Sequence, residues 1–303
     1  MRKLICSTAV LLILVLGCRT DPPETHTIPT RAASLPVDAP EPDSTTRHVF
    51  EKVMAFARTE RLHERSFGEI MQSVGLQFVR APYVGGKLDV PEKETLIVDL
   101  TEFDCVLFVE AVLALARGIA VEDYRYETFV GHLLDQRYRG GSMNGYCSRL
   151  HYFSEWIADN EVRGIVENIT AALGGDIQDK RLTFMSENRD KYPRFAENDS
   201  LFQGIREMEH QLKDLTLYNI PQDRIRAVYD RLRPGDIIAT ATHIEGLDVT
   251  HSGLAYAHED GTIGFLHAST SGGVKVSPDL QSYVENNSMQ IGIVVARPTD
   301  PRK

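Results

Sequence analysis

His251-Ser-Gly-Leu-Ala-Tyr-Ala-His-Glu-Asp-Gly-Thr-Ile-Gly-Phe-Leu-His267 reads as two strands joined by a turn. Small and apolar residues run on either side of His258-Glu-Asp-Gly261, a group whose glycine and acidic side chains suit a chain reversal. Folding about that turn brings His251 and His267 to within a residue or so of facing each other. On the right register both imidazoles share a face. Two further segments have the same period, Leu232-Arg-Pro-Gly-Asp-Ile-Ile-Ala-Thr240 and Gln290-Ile-Gly-Ile-Val-Val-Ala296. The C-terminal part is therefore expected to be a four-stranded antiparallel sheet.

Upstream of residue 231 the period is that of helices. Helices are expected over 48–62, burying Val49, Val53, Phe56 and Ala57, over 67–75, and over 122–137, where Gly140-Gly141 stops the chain. Helical spacing at Val162, Ile165, Val166 and Ile169 runs to Gly174-Gly175, and 202–212 reads as a solvated amphipathic helix. The most informative of these segments is Asp99-Leu-Thr-Glu-Phe-Asp-Cys-Val-Leu-Phe-Val-Glu-Ala-Val-Leu-Ala-Leu-Ala116. Thr101 or Asp104 can cap the helix, which places Cys105 in its first turn, where unpaired amides and the helix dipole favour a thiolate. Residues 106–116 are apolar all round except Glu110, as expected of a helix surrounded by protein. Just before it, Ala81-Pro-Tyr-Val-Gly-Gly86 specifies a turn that presents the Tyr83 hydroxyl.

Tyr146-Cys-Ser-Arg-Leu-His-Tyr-Phe-Ser-Glu-Trp156 gathers an arginine, a histidine, two tyrosines and the sole tryptophan. Arg149, His151, Tyr152 and Trp156 would suit a wall for a carboxylated, sugar-bearing ligand. An aromatic helix face with a salt-bridged arginine is the alternative.

Met1-Arg-Lys3 followed by an apolar run to Gly17 reads as a signal peptide, too short to be a stable membrane span. The segment from 18 to 46 is rich in Pro, Thr, Ser and acidic residues and reads as a solvated tether. The chain carries 33 basic and 43 acidic residues, and loss of 1–17 removes Arg2 and Lys3, leaving 31 against 43 and a formal charge of −12. That balance argues against a nucleic-acid partner.

A thiol at a helix start and two histidines sharing a sheet face are the parts of a Cys-His-His constellation. His251 would take the thiol proton, His267 would orient it, and helix-start amides with the Tyr83 hydroxyl would meet an oxyanion. The motifs resemble those of the NlpC-type cell-wall cysteine hydrolases: Pro82-Tyr-Val-Gly-Gly86, Phe103-Asp-Cys105, Gly235-Asp-Ile-Ile238, His251-Ser-Gly-Leu254 and His267-Ala-Ser269. That resemblance implies an α+β, papain-like fold with N-terminal helices packed on a C-terminal antiparallel sheet. It also implies Cys105 as nucleophile, His251 as base, His267 as third member and Tyr83 at the oxyanion.

The long separation of Cys105 from His251 implies a largely helical insertion over about 118–230 within a domain of 47–303. Glu110, the 148–156 segment, Phe184-Met-Ser186 and Gly246-Leu-Asp-Val-Thr-His251 resemble a branch of amidase-like lipoproteins long catalogued as a domain of unknown function. Members of that branch look like N-acetylmuramoyl-L-alanine amidases acting on peptidoglycan or muropeptides. Leu14-Val-Leu-Gly-Cys18 resembles a bacterial lipobox, implying lipid on Cys18, and Arg19 in place of an aspartate after it resembles lipoproteins sent to the outer membrane, facing the periplasm.

The alternatives at this stage are a γ-D-glutamyl-diamino acid endopeptidase and a non-catalytic peptidoglycan-binding lipoprotein. No His-Glu-x-x-His is present, so neither a metal nor another cofactor is expected. Cys105 and Cys147 could pair as a disulfide in an oxidising compartment.

Overall fold

The helix that begins at Cys105 is the centre around which the chain is arranged. The computed structural model describes residues 43–303. Helix α1 (Ser44–Thr59) is capped by the Asp43 carboxylate, which accepts from Thr45 N and Thr46 N. Helix α2 (Phe67–Leu76) opens with a reciprocal Ser66–Glu69 capping box. Helix α2 packs by its apolar face on α3 (Cys105–Ala120), which is buried along nearly its whole length, and α1 joins the same core. Helix α4 (Tyr126–Arg137) lies on the same core, and α5 (Phe153–Val162) adds Phe153, Trp156 and Ile157 to it. Short strands β1 (Val166–Asn168) and β2 (Asp176–Gln178) follow, then the single turns α6 (Phe184–Glu187) and α7 (Pro193–Ala196). Helix α8 (Asp199–Gln211) completes the region before the sheet.

The C-terminal part supplies β3 (Leu217–Pro221), β4 (Ile237–Thr242), β5 (Val249–Ala257), β6 (Ile263–Ser269) and β7 (Gly273–Ser277). A short helix α9 (Leu280–Glu285) and β8 (Gln290–Pro298) end the fold. The sheet is antiparallel throughout, in the order β2-β3-β8-β4-β5-β6-β7, with β1 also pairing β8. One face carries Leu254, Leu266 and Ala239 into the core with α3. The other packs Ile238, Phe265 and Val295 against α9 and the 3-10 segment Gln222–Arg231. With both faces covered, β4 and β6 are buried at every position.

Four expectations need correction. The tether cannot extend to Thr46, because α1 starts at Ser44 and Thr46 is fully buried; the signal peptide and Cys18 lie outside the described residues. The helical spacing of 162–169 is instead a helix end and a strand, since Val166 pairs Pro298 while Val162 is 89% exposed. The region 118–230 is not simply helical, for it also contributes β1, β2 and β3 to the sheet. With these three strands and β7, also unforeseen, the sheet has eight strands among the described residues rather than four.

Candidate active site

Asp104 caps α3, its carboxylate accepting from Leu107 N at 2.8 Å, so Cys105 occupies the first helical position. Immediately upstream, Phe103 N donates to Pro82 O at 3.0 Å and Val84 N to Phe103 O at 2.9 Å. This short parallel bridge holds the Tyr83 turn against the start of α3. The turn is fixed from its other side by Arg80 N to Val274 O, 2.8 Å, and Val274 N to Ala81 O, 2.9 Å. Burial, then the nearby Cys105 and Asp104, push the Tyr83 hydroxyl up, so it stays protonated and able to donate.

His251 and His267 come together as expected: Nε2 of His251 is 2.7 Å from Nδ1 of His267. Nε2 of His267 lies 3.1 Å from the Ser277 hydroxyl on β7. The two residues are not directly opposite. The β5–β6 register runs Leu254↔Leu266 and Ala255↔Phe265, which sets His267 against Gly253 and leaves His251 two residues along on the same face. Gly253 is what permits the diagonal approach: a Cβ there would stand 2.7 Å from the His267 Cβ, from Leu266 O and from the Phe265 ring. Phe265 stacks on His267 at 4.6 Å between centroids, and Tyr283 of α9 packs on both imidazoles, at 6.1 Å and 4.8 Å.

The electrostatics depart from the expected activated thiolate. Burial and the adjacent Asp104 carboxylate push the Cys105 thiol up to about 11, against the opposing pull of Ser252 and of Val106 N–H. Burial also pulls His251 down to about 4, and burial with His251 and Lys275 pulls His267 down to about 3. Near neutral pH Cys105 is therefore a thiol and both imidazoles are neutral, not a thiolate–imidazolium pair. The helix-start contribution is real, but desolvation outweighs it.

Ser252, Gly253, Ser277 and Tyr283 were not among the sequence candidates. The Ser252 hydroxyl is buried with no hydrogen-bond partner of ordinary geometry among the described residues, and it and its backbone N–H both bias the Cys105 sulfur toward thiolate. Its position beside His251 in a strand was the available signal. Ser277 was legible as the end of the alternating Gly273-Val-Lys-Val-Ser277 segment.

The four side chains expected to form a binding wall are each engaged within the fold. Trp156 is 1% exposed, and its Nε1 donates to Glu110 Oε1 at 3.2 Å. Glu110 in turn accepts from Arg137 Nε at 2.7 Å inside the core. Tyr152 is buried, donating to Glu209 Oε1 at 2.8 Å and accepting from Met185 N at 3.0 Å, which docks the Phe184-Met-Ser186 turn. Arg149 is buried with its guanidinium on Leu88 O, 2.6 Å, and on the Asp89 carboxylate, over the Tyr146 ring. His151 Nε2 sits 2.9 Å from Tyr146 O, and burial pulls its pKa down to about 3. These side chains have intramolecular partners because they tie the 139–215 region to α3 and to the 87–94 loop. Cys105 and Cys147 are both free thiols.

The groups gathered here are a half-buried thiol at a helix start, a hydrogen-bonded imidazole pair and a protonated tyrosine. The chain belongs to the AmiA-like family, described as N-acetylmuramoyl-L-alanine amidase-like, whose pattern matches residues 73–293. Among solved structures it resembles an N-acetylmuramoyl-L-alanine amidase from Bacteroides uniformis, with 30% identity and a TM-score of 0.73 over 77% of this chain and 99% of that one. A Bacteroides fragilis protein carrying a provisional xylanase name is 34% identical, with a TM-score of 0.68 over 74% of this chain and 98% of that one. A Legionella pneumophila protein at 19% identity and a TM-score of 0.60, covering 84% of this chain and 95% of that one, shares the fold. No curated protein matches the chain.

Proposed function

We propose that the chain is an N-acetylmuramoyl-L-alanine amidase that cleaves the amide between the muramic lactyl group and the first alanine of peptidoglycan or muropeptides, by a Cys-His-His mechanism on a papain-like, NlpC-type fold. The observation that carries this reading is the His251–His267–Ser277 hydrogen-bonded chain beside a helix-start cysteine. When His251 donates from Nε2 to Nδ1 of His267, and His267 donates from Nε2 to the Ser277 oxygen, Nδ1 of His251 is left unprotonated and basic. It takes the Cys105 proton as sulfur attacks the lactyl carbonyl. The Tyr83 hydroxyl and helix-start N–H groups receive the oxyanion. Collapse breaks the C–N bond, and His251 returns the proton to the departing alanine amine, leaving a thioester. Water, deprotonated by His251, then releases the muramic acid and restores the thiol.

Family membership supports the amidase class, and the Bacteroides uniformis relative supports the bond. Glycoside cleavage, by contrast, uses two carboxyl groups flanking the scissile bond, whereas the reactive groups gathered here are a thiol and imidazoles. Cys18 is the proposed lipid anchor, holding the domain on the outer membrane facing the periplasm. Mass analysis of muropeptides digested by the wild type and by Cys105→Ala tests the reading. Free intact stem peptide with bare sugar, lost in the variant, is expected. Cleavage within the stem, or identical products from the variant, would overturn it.

A further inference from the structure

Ser277 and Tyr283, which touch the histidine pair on one side, line on their other side an open cleft of about 710 Å³ formed with Pro278, Asp279, Ser282, Asn286, Asn287 and Ser288. Among the described residues no arginine or lysine lines it. Its single carboxylate, Asp279, is already engaged: it caps α9 through Ser282 N at 2.8 Å, pairs with Arg226 at 2.8 Å and accepts from the Tyr229 hydroxyl at 3.1 Å. The groups left to meet a ligand are neutral. Among the described residues the Asn286 amide and the Ser288 hydroxyl have no hydrogen-bond partner, and Asn287 spends only its oxygen, on Met289 N at 3.1 Å.

We propose that this cleft is the sugar subsite, binding the acetamido pyranose on the acyl side of the bond to be cut. The inference rests on the amidase reading and gives it a direction. A stem peptide carries carboxylates, which an uncharged wall beside a neutralised aspartate cannot pair. Hydroxyl and acetamido groups are neutral donors and acceptors, matching free amides and hydroxyls. Continuity with the histidine pair places a sugar here within reach of the reacting carbonyl, and the peptide then leaves by the opposite side, past Tyr83.

The test compares two substrates on the full-length chain, N-acetylmuramoyl-L-alanyl-D-isoglutamine and D-lactoyl-L-alanyl-D-isoglutamine, which lacks the ring. Wild type should prefer the muramoyl compound in kcat/KM, and Asn286→Ala/Ser288→Ala should lower that preference about tenfold, chiefly through KM, as loss of one or two hydrogen bonds implies. An unchanged preference ratio would overturn the subsite. If the wild type cleaves neither compound, the amidase reading fails on its own. The subsite is then judged by saturation-transfer NMR with the methyl glycoside of N-acetylglucosamine: signal that is lost in the variant sustains it, and absent or variant-independent signal refutes it.

Discussion

His251 Nε2 and His267 Nδ1 stand 2.7 Å apart in a buried, aromatic-walled site, and both rings are held neutral there. One nitrogen must donate and the other accept, so the tautomers of the two rings are linked. Ser277 terminates the chain with an oxygen able to accept. In the proposed mechanism, where His251 is the base, this chain sets its orientation before substrate arrives.

Because the Cys105 thiol is pushed up to about 11 and His251 down to about 4, the pH dependence of chemical modification has a definite sign. Iodoacetamide alkylation of Cys105 in the free enzyme should accelerate with rising pH up to about 11. A thiolate–imidazolium pair would instead give a rate that is flat from mildly acidic pH upward. Ser252→Ala removes a group that favours the thiolate, so it should slow alkylation near neutral pH and shift the curve upward. Equal rates in both proteins would remove Ser252 from the site.

Gly253→Ala places a methyl group against His267 at the point where the strands come closest. Overpacking of this kind costs about 1–3 kcal/mol of stability. The displaced imidazole should cost more than about a hundredfold in kcat, the scale seen when a reacting group is moved by about 1 Å. Thermal melts together with kcat separate the two effects.

Glu110 and Arg137 form a buried ion pair that also receives the Trp156 indole. Removing one charge strands the other, so Arg137→Ala should cost about 3–5 kcal/mol in denaturant unfolding. Replacing both, as Glu110→Leu with Arg137→Met, should cost less than Arg137→Ala alone. A larger loss in the double variant would contradict this account of the pair.

Arg149 serves the fold through Asp89 and Leu88 O. Arg149→Ala should lower the melting temperature, by strands of charge left on Asp89 and Glu94, while KM for muropeptides stays within about twofold of wild type. A large rise in KM with an unchanged melt would restore the residue to the substrate site.

The parts legible in sequence were those set by local rules. The Asp104 cap, the wholly apolar helix from Cys105, the turn at His258–Gly261 and the shared face of the two histidines all follow from spacing and turn chemistry. What was not legible depended on tertiary placement. Val166 has helical spacing with its neighbours, yet β8 offers it an unpaired edge. Arg149 and Trp156 have the composition of a ligand wall, but carboxylates from distant segments take up their polar atoms. The thiol's resting state depends on a balance of burial against helix-start amides, and residue spacing does not say which of the two is larger.

The central claim is that Cys105 sulfur carries the muramoyl group during turnover. Acid-quenched digestion of the protein during steady-state cleavage of a muramoyl peptide, followed by mass analysis of the fragment containing Cys105, tests it directly. A thioester adduct with the mass of the muramoyl group, absent in Cys105→Ala, is the expected result; an adduct carrying stem peptide, or turnover with Cys105 unmodified and replaceable, would contradict the account.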